Sequence, residues 1–271
     1  MPMNRNSIPP QSLGVIRRSV PILSGLRRDS ASTYMKITFL TIFPKMFACY
    51  INESILKRAQ TKGLVKFKLI NIRDFAADKH KTVDDKPYGG GPGMLLKIEP
   101  IYKALRAITK KQRNKETEKR KIILLSAKGK TFDQKMAEKL SKYNHLVFIC
   151  GRYEGVDERV AKYLADEEIS IGNYVLTGGE LPAMVIADTV TRLIPGVIKK
   201  ESLKEESFTP ASRKKLEIGN WKLEIKHEYP QYTRPEKFLD WQVPKILLSG
   251  DHKKIEEWRG RKALNSTKER K

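Results

Sequence analysis

The chain has 271 residues, enough for one substantial core and a smaller domain, and its 39% hydrophobic content excludes a disordered polymer. No run approaches the roughly 18 apolar residues of a membrane span. Two cysteines and four histidines, scattered without ligand spacing, argue against a disulfide framework or a structural zinc and fit a reducing, cytoplasmic setting. The formal charge of +23, from 54 basic and 31 acidic residues, points to a polyanionic partner such as nucleic acid, because cations on phosphates release condensed counterions.

Residues 1–34 carry Arg5, Arg17, Arg18, Arg27 and Arg28 against the single acid Asp29, among many Ser and Pro. That composition suits a targeting extension or a start assigned upstream of Met35. The second reading is favoured, because Met35 leads at once into a strand pattern, Ile37–Phe43. Pro44 then opens a helix with Phe47, Ile51, Ile55 and Leu56 on one stripe and Gly63 as its stop, and Val65–Ile72 reads as a second strand. A polar loop ends in Tyr88-Gly89-Gly90-Gly91-Pro92-Gly93. Pro100 opens a helix through Ile101, Leu105 and Ile108 that runs into a basic stretch, Lys103–Lys121.

Beyond it strands and helices alternate. Lys121–Ser126 is a strand, and Thr131-Phe132-Asp133-Gln134 matches a capping box before a helix with Met136, Ala137 and Leu140. Leu146–Cys150 is a strand, Val156–Leu164 a short helix, Ile169–Leu176 an extended segment, and Pro182 opens an apolar helix that stops at Pro195-Gly196. The alternation predicts an α/β domain with a largely parallel sheet. Residues 199–226 lose this periodicity and read as an exposed linker rich in Lys and Glu. From Tyr229 a short helix is expected around Phe238 and another from Asp251, with Ile255 and Trp258 on one side. Eight basic residues against four acids in 251–271 make this a small basic helical domain.

Three segments share one form, an apolar strand running into glycine: Leu124–Gly129, Ile149–Gly155 and Ile171–Glu180. In open α/β sheets ligands bind beyond the carboxyl ends of strands, and glycine lets the backbone approach them. Any one of these loops is equally well a plain turn; three in succession point to a shared small-molecule site. Neither a G-x-G-x-x-G fingerprint nor a phosphate loop is present, which disfavours a dinucleotide-dependent dehydrogenase and a P-loop nucleotidase.

The runs "TVDDKPYGGGPGM" (Thr82–Met94), "CGRYEGVDERV" (Cys150–Val160), "SIGNYVLTGGELPAM" (Ser170–Met184) and "RLIPGV" (Arg192–Val197) resemble the bacterial tRNA (guanine-N1)-methyltransferase family, TrmD. "YPQYTRP" (Tyr229–Pro235) and "VPKILLSGDHKKIEEWR" (Val243–Arg259) extend the resemblance from Met35 to about Ala263. It implies the knotted SPOUT class: an α/β fold whose parallel sheet ends in a trefoil knot, followed by a small helical domain. The implied domains are an extension, 1–34, a knotted methyltransferase domain, 35–198, a linker, 199–228, and a short basic helical domain, 229–271. The resemblance further implies a cytoplasmic homodimer that methylates N1 of guanosine 37 in tRNA when another guanosine precedes it. S-adenosyl-L-methionine is the implied donor, with a divalent ion such as Mg2+ as a further family expectation.

Carried over by motif, the donor contacts are Leu125, Gly129, Gly151, Tyr153, Glu154, Ile171, Gly172, Asn173, Tyr174, Val175, Leu176, Gly178, Gly179 and Pro182. Arg192 falls on the family's catalytic arginine and Glu206 on its catalytic aspartate. Guanine N1 carries a proton and is a poor nucleophile until a carboxylate accepts it, while a guanidinium near O6 stabilises the charge that develops. Two departures stand out: Glu206 is one methylene longer than Asp, and Asn173 replaces an acid. A catalytically weakened RNA-binding member of the fold, or a methyltransferase acting on ribose 2′-OH, is the alternative.

Overall fold

The computed structural model describes residues 34–110, 119–204, 206–208, 215–218, 221–224 and 227–268, all within the unit Thr33–Lys271. The 1–34 extension, apart from Tyr34, and part of the basic run before Lys121 lie outside them. Strand β1 (Met35–Thr41) is followed by helices α1 (Lys45–Ile51) and α2 (Ser54–Thr61), then β2 (Val65–Asn71) and a 3-10 turn, Ile72–Phe75. A two-strand ribbon, β3 (Asp84–Asp85) with β4 (Leu95–Leu96), precedes α3 (Ile98–Lys110). Then come β5 (Arg120–Thr131), α4 (Gln134–Leu140), β6 (His145–Cys150), α5 (Glu158–Tyr163), β7 (Glu167–Ser170) and α6 (Glu180–Arg192).

The expected parallel sheet is present. Its five strands run in the order β2-β1-β6-β5-β7, and every pairing is parallel. Side chains leave it alternately, as period two requires. On β6, Leu146, Phe148 and Cys150 join one core with α1, α2, α4 and α6, while Val147 and Ile149 join the other with α3 and α5. Phe39 anchors the first core, its ring centroid 4.4 Å from Phe47 and 5.7 Å from Phe148. At the β1–β6 pairing a buried hydrogen bond of 2.9 Å joins Thr38 Oγ1 and His145 Nε2.

Two features of the sheet shape what lies above it. The pairing of β5 with β7 shifts, so that Leu125 and Lys130 both stand opposite Ile169 and residues 126–129 bulge out between them. After β7 the chain returns over the ends of β5 and β6 to enter α6. The contact there is tight: a Cβ on Gly179 would lie 2.8 Å from Cys150 Cα and 3.0 Å from Leu125 Cβ, so only glycine fits.

Several local expectations change. The capping side chain of α4 is Asp133, which accepts from Met136 N at 2.7 Å, and not Thr131 two positions earlier. The helix from Pro44 breaks in two at Asn52–Glu53, where Ser54 takes φ 47°. Beyond Ser170 the segment predicted to stay extended bends, since the Ser170 hydroxyl and the Gly172 carbonyl hydrogen-bond locally at 2.9 Å. The 199–226 stretch holds a helix, α7 (Lys200–Lys204), and a hairpin, β8 (Lys215–Ile218) with β9 (Trp221–Glu224). Around Phe238 there is no helix: β10 (Lys237–Phe238) pairs with β11 (Trp241–Gln242), the two aromatic rings on one face 5.9 Å apart. Helices α8 (Lys245–Leu248) and α9 (His252–Lys268) follow, with Ala263 and Leu264 packed on Tyr229.

Candidate functional site

A cavity of about 540 Å³ opens beyond the carboxyl ends of β5, β6 and β7, where the three glycine-punctuated segments meet. Of the residues expected to contact the donor, Leu125, Gly151, Tyr153, Glu154, Ile171, Tyr174, Val175, Leu176, Gly178, Gly179 and Pro182 line it. Gly129, Gly172 and Asn173 do not. Gly129 instead packs backbone to backbone on β7, where a Cβ would sit 2.6 Å from Ile169 N. Gly172 makes room for the ring of Tyr174, whose hydroxyl donates to Ile171 O at 3.3 Å. These glycines shape the walls from behind. Tyr153 holds φ 61°, a left-handed conformation costly for a non-glycine residue, and its ring is half exposed at the cavity.

The loops are tied together by a polar cluster that the sequence reading did not single out. Gly179 N donates to Gly151 O at 2.8 Å. Glu180 is buried at 1% exposure; its Oε1 accepts from Thr41 Oγ1 at 2.7 Å and its Oε2 from Arg152 Nε at 2.9 Å. The Arg152 guanidinium also donates to Thr177 O at 3.2 Å and lies 4.7 Å over the Phe43 ring. One ion pair thus joins the end of β1, the β6 loop and the start of α6. The signal was present as opposite charges just after two glycine turns, Gly151-Arg152 and Gly179-Glu180, but only the fold brings them into contact. Burial pushes the Cys150 thiol well up, with Glu180 adding to the effect, so this cysteine is a packing residue and no thiolate nucleophile.

The glycine-rich loop that follows Tyr88 closes the other rim. Met94 N donates to Glu154 Oε2 at 2.7 Å, Glu154 N to Met94 O at 3.2 Å, and Leu96 N to Gly155 O at 3.0 Å. Gly93 leaves the space that this contact uses: a Cβ there would displace the Glu154 carboxylate, and its φ of 79° favours glycine.

Arg192 and Glu206, fourteen residues apart, meet at 2.5 Å between a guanidinium nitrogen and Oε1, both partly buried. They form the acid–cation pair expected of the reaction, yet neither lines the cavity. Among the described residues no group of three His, Cys, Asp or Glu side chains gathers to hold a metal ion.

Comparison with known proteins places this geometry. A family model described as tRNA (Guanine-1)-methyltransferase TrmD matches residues 35–271. A tRNA (guanine-N(1)-)-methyltransferase of Dictyoglomus turgidum is 54% identical over 234 residues, 86% of this chain and 86% of that protein. One from Mycoplasmopsis synoviae is 51% identical over 234 residues, 86% of this chain and 94% of its own. The crystal structure of a tRNA (m1G37) methyltransferase from Aquifex aeolicus aligns with a TM-score of 0.68 at 37% identity, covering 88% of this chain and 93% of that one.

Proposed function

The chain belongs to the tRNA (guanine-1)-methyltransferase TrmD family, and on that premise we propose that it transfers a methyl group from S-adenosyl-L-methionine to N1 of guanosine 37 in tRNA. The observation that carries this reading is the cavity gathered from three separate loops at the strand ends. Its apolar wall of Leu125, Ile171 and Leu176, with the Tyr174 ring, suits a flat adenine, and its exposed backbone suits the polar edge of the base. When bound, the donor supplies a methyl carbon made electrophilic by its sulfonium sulfur.

The protein's own residues do the rest. Glu206 accepts the N1 proton as N1 forms its bond to the methyl carbon and the carbon–sulfur bond breaks. Arg192 holds Glu206 in place and offers its guanidinium to the charge that develops on guanine O6. Among the described residues no group of three His, Cys, Asp or Glu side chains gathers that could hold Mg2+.

The separation of the Arg192–Glu206 pair from the cavity lining supports a homodimer in which one copy supplies the pair and the other the donor cavity. Phe43, just before α1, Met46 and Tyr50 on α1, and Leu181 and Val185 on α6 expose large apolar side chains that would suit such a partner. The trefoil knot of the SPOUT class is part of the same proposal, supported by the close passage of Gly179 over Cys150 and Leu125. So is the division into an extension, 1–34, a methyltransferase domain, 35–198, a linker, 199–228, and a basic helical domain, 229–271. For the last, Arg259 stacked 4.7 Å over Tyr229 and the exposed lysines of α9 suit an RNA backbone. No helix among the described residues is long and apolar enough to cross a membrane; a cytoplasmic setting belongs to the same proposal.

The test is methylation of a tRNA in which guanosine 37 follows another guanosine, read by mass spectrometry of the nucleosides. N1-methylguanosine is the expected product, lost with Glu206→Ala and with Arg192→Ala. Donor binding without transfer would favour the RNA-binding alternative, and a 2′-O-methylated nucleoside would overturn the assigned chemistry.

A further inference from the structure

The wall of the cavity contains a polar atom to which no motif assigns a task. Glu168, on β7 beside the Ile169 that faces the β5 bulge, lines the cavity, and its Oε1 is buried without a hydrogen-bond partner among the described residues. Its neighbour Glu167 does not line the cavity and pairs with Lys121 at 3.3 Å. A carboxylate oxygen removed from water without a donor is costly, so in a ligand cavity such an atom marks where a ligand's donor belongs.

The charges around it narrow the ligand group. Lys128 and Glu158 line the same cavity, and Lys128 Nζ donates to Glu158 Oε2 at 2.6 Å. Lys128 is held protonated first by Glu158, with Glu168 adding to the effect. With the lysine already matched by Glu158, the carboxylate of Glu168 is left as a net negative charge in this part of the wall. The adenine and ribose of the proposed donor are neutral. Its cationic hydrogen-bond donor is the α-ammonium at the amino-acid end.

We propose that Glu168 accepts a hydrogen bond from that α-ammonium and so determines specificity for the amino-acid half of the donor. The assignment rests on reading the cavity as an adenosylmethionine site. It differs from that reading in naming a residue outside the glycine-punctuated loops and a part of the ligand that the adenine-binding wall does not recognise.

Two ligands that differ only in this half separate the possibilities. S-adenosylhomocysteine and 5′-methylthioadenosine share adenine, ribose and thioether sulfur, but the second lacks the ammonium and carboxylate. Both are titrated calorimetrically into the full chain as wild type, Glu168→Gln and Glu167→Gln. Loss of one charge-assisted hydrogen bond should weaken adenosylhomocysteine by about tenfold or more in Glu168→Gln. Methylthioadenosine should move by less than about twofold, and Glu167→Gln should leave both unchanged within the same margin. Equal weakening of both ligands by Glu168→Gln would overturn the assignment, as would no weakening of either. Failure of the wild type to bind either ligand would instead sink the adenosylmethionine reading on which the assignment stands.

Discussion

Around the cavity three loops are fastened to one another by backbone hydrogen bonds, a buried Arg152–Glu180 pair and glycine contacts too tight for any other residue. The Arg192–Glu206 pair, by contrast, sits partly exposed and away from the cavity lining. On the proposed function, donor binding is built into a single copy of the chain, whereas methyl transfer requires the pair to be brought to a cavity that it does not line. Binding and chemistry should be separable by mutation, and the chemistry alone should depend on association.

The largest effects test that separation. Glu206→Ala and Arg192→Ala should each lower single-turnover methyl transfer by about 10²- to 10⁴-fold, as loss of a general base or its electrostatic partner does. Calorimetric affinity for adenosylhomocysteine should change little. Gly179→Val should do the reverse and abolish donor binding, since its side chain has no space against Cys150 and Leu125. Mixing Gly179→Val with Glu206→Ala chains should then restore about one quarter of wild-type sites if subunits exchange freely and a symmetric dimer pairs one copy's cavity with the other's pair. No recovery in a verified mixed dimer would place each complete site within one chain.

A smaller effect probes the fastening itself. Glu180→Ala leaves the Arg152 guanidinium, 15% exposed, without its carboxylate. Breaking a buried pair in this way costs about 3–5 kcal/mol, which chemical denaturation should register. Glu180→Gln, which keeps the shape and loses the charge, should cost less.

Next in size is a pH effect at the β1–β6 pairing. Burial, with Lys36, Arg120 and Lys68 nearby, lowers the pKa of His145 from 6.5 to about 3. Between those values the unfolded chain binds the proton and the folded chain does not. Stability is therefore highest above pH 6.5 and falls as pH drops toward 3, with a limiting slope of about 1.4 kcal/mol per pH unit. Denaturant midpoints measured from pH 7 to 4.5 should show this fall, and His145→Gln should flatten it. The smallest expected change is Glu206→Asp, which shortens the base by one methylene. Because Arg192 already positions the longer side chain, transfer should shift by less than about fivefold; a larger gain would mark the glutamate as a poorly placed base.

The same contrast governs how much was legible in the sequence. The core strands announce themselves as apolar runs between glycines and helices, so the α/β class and the parallel sheet follow from local pattern. The loops that line the cavity are also legible, because each is a contiguous segment beside its strand. Arg152, Glu180, Thr41 and Glu168 are less so: each meets a partner or a cavity far away in the chain, and the charges after the two glycine turns do not tell which groups meet. Gly129 and Gly172 fit the motif but serve the backbone and not the cavity lining. Near Phe238 the error has another source. The Phe238–Trp241 spacing suits a helical face as well as a short hairpin, and propensity alone does not decide between them.

The bulge in β5 bears on how this protein could change. Since Leu125 and Lys130 both stand opposite Ile169, residues 126–129 lie outside the ladder, and Ser126, Ala127 and Lys128 among them line the cavity. Lengthening or shortening that segment would resize the cavity while the sheet kept its register on either side. It is the natural place to begin engineering acceptance of bulkier ligands, because the alteration can be confined to residues outside the β5–β7 ladder.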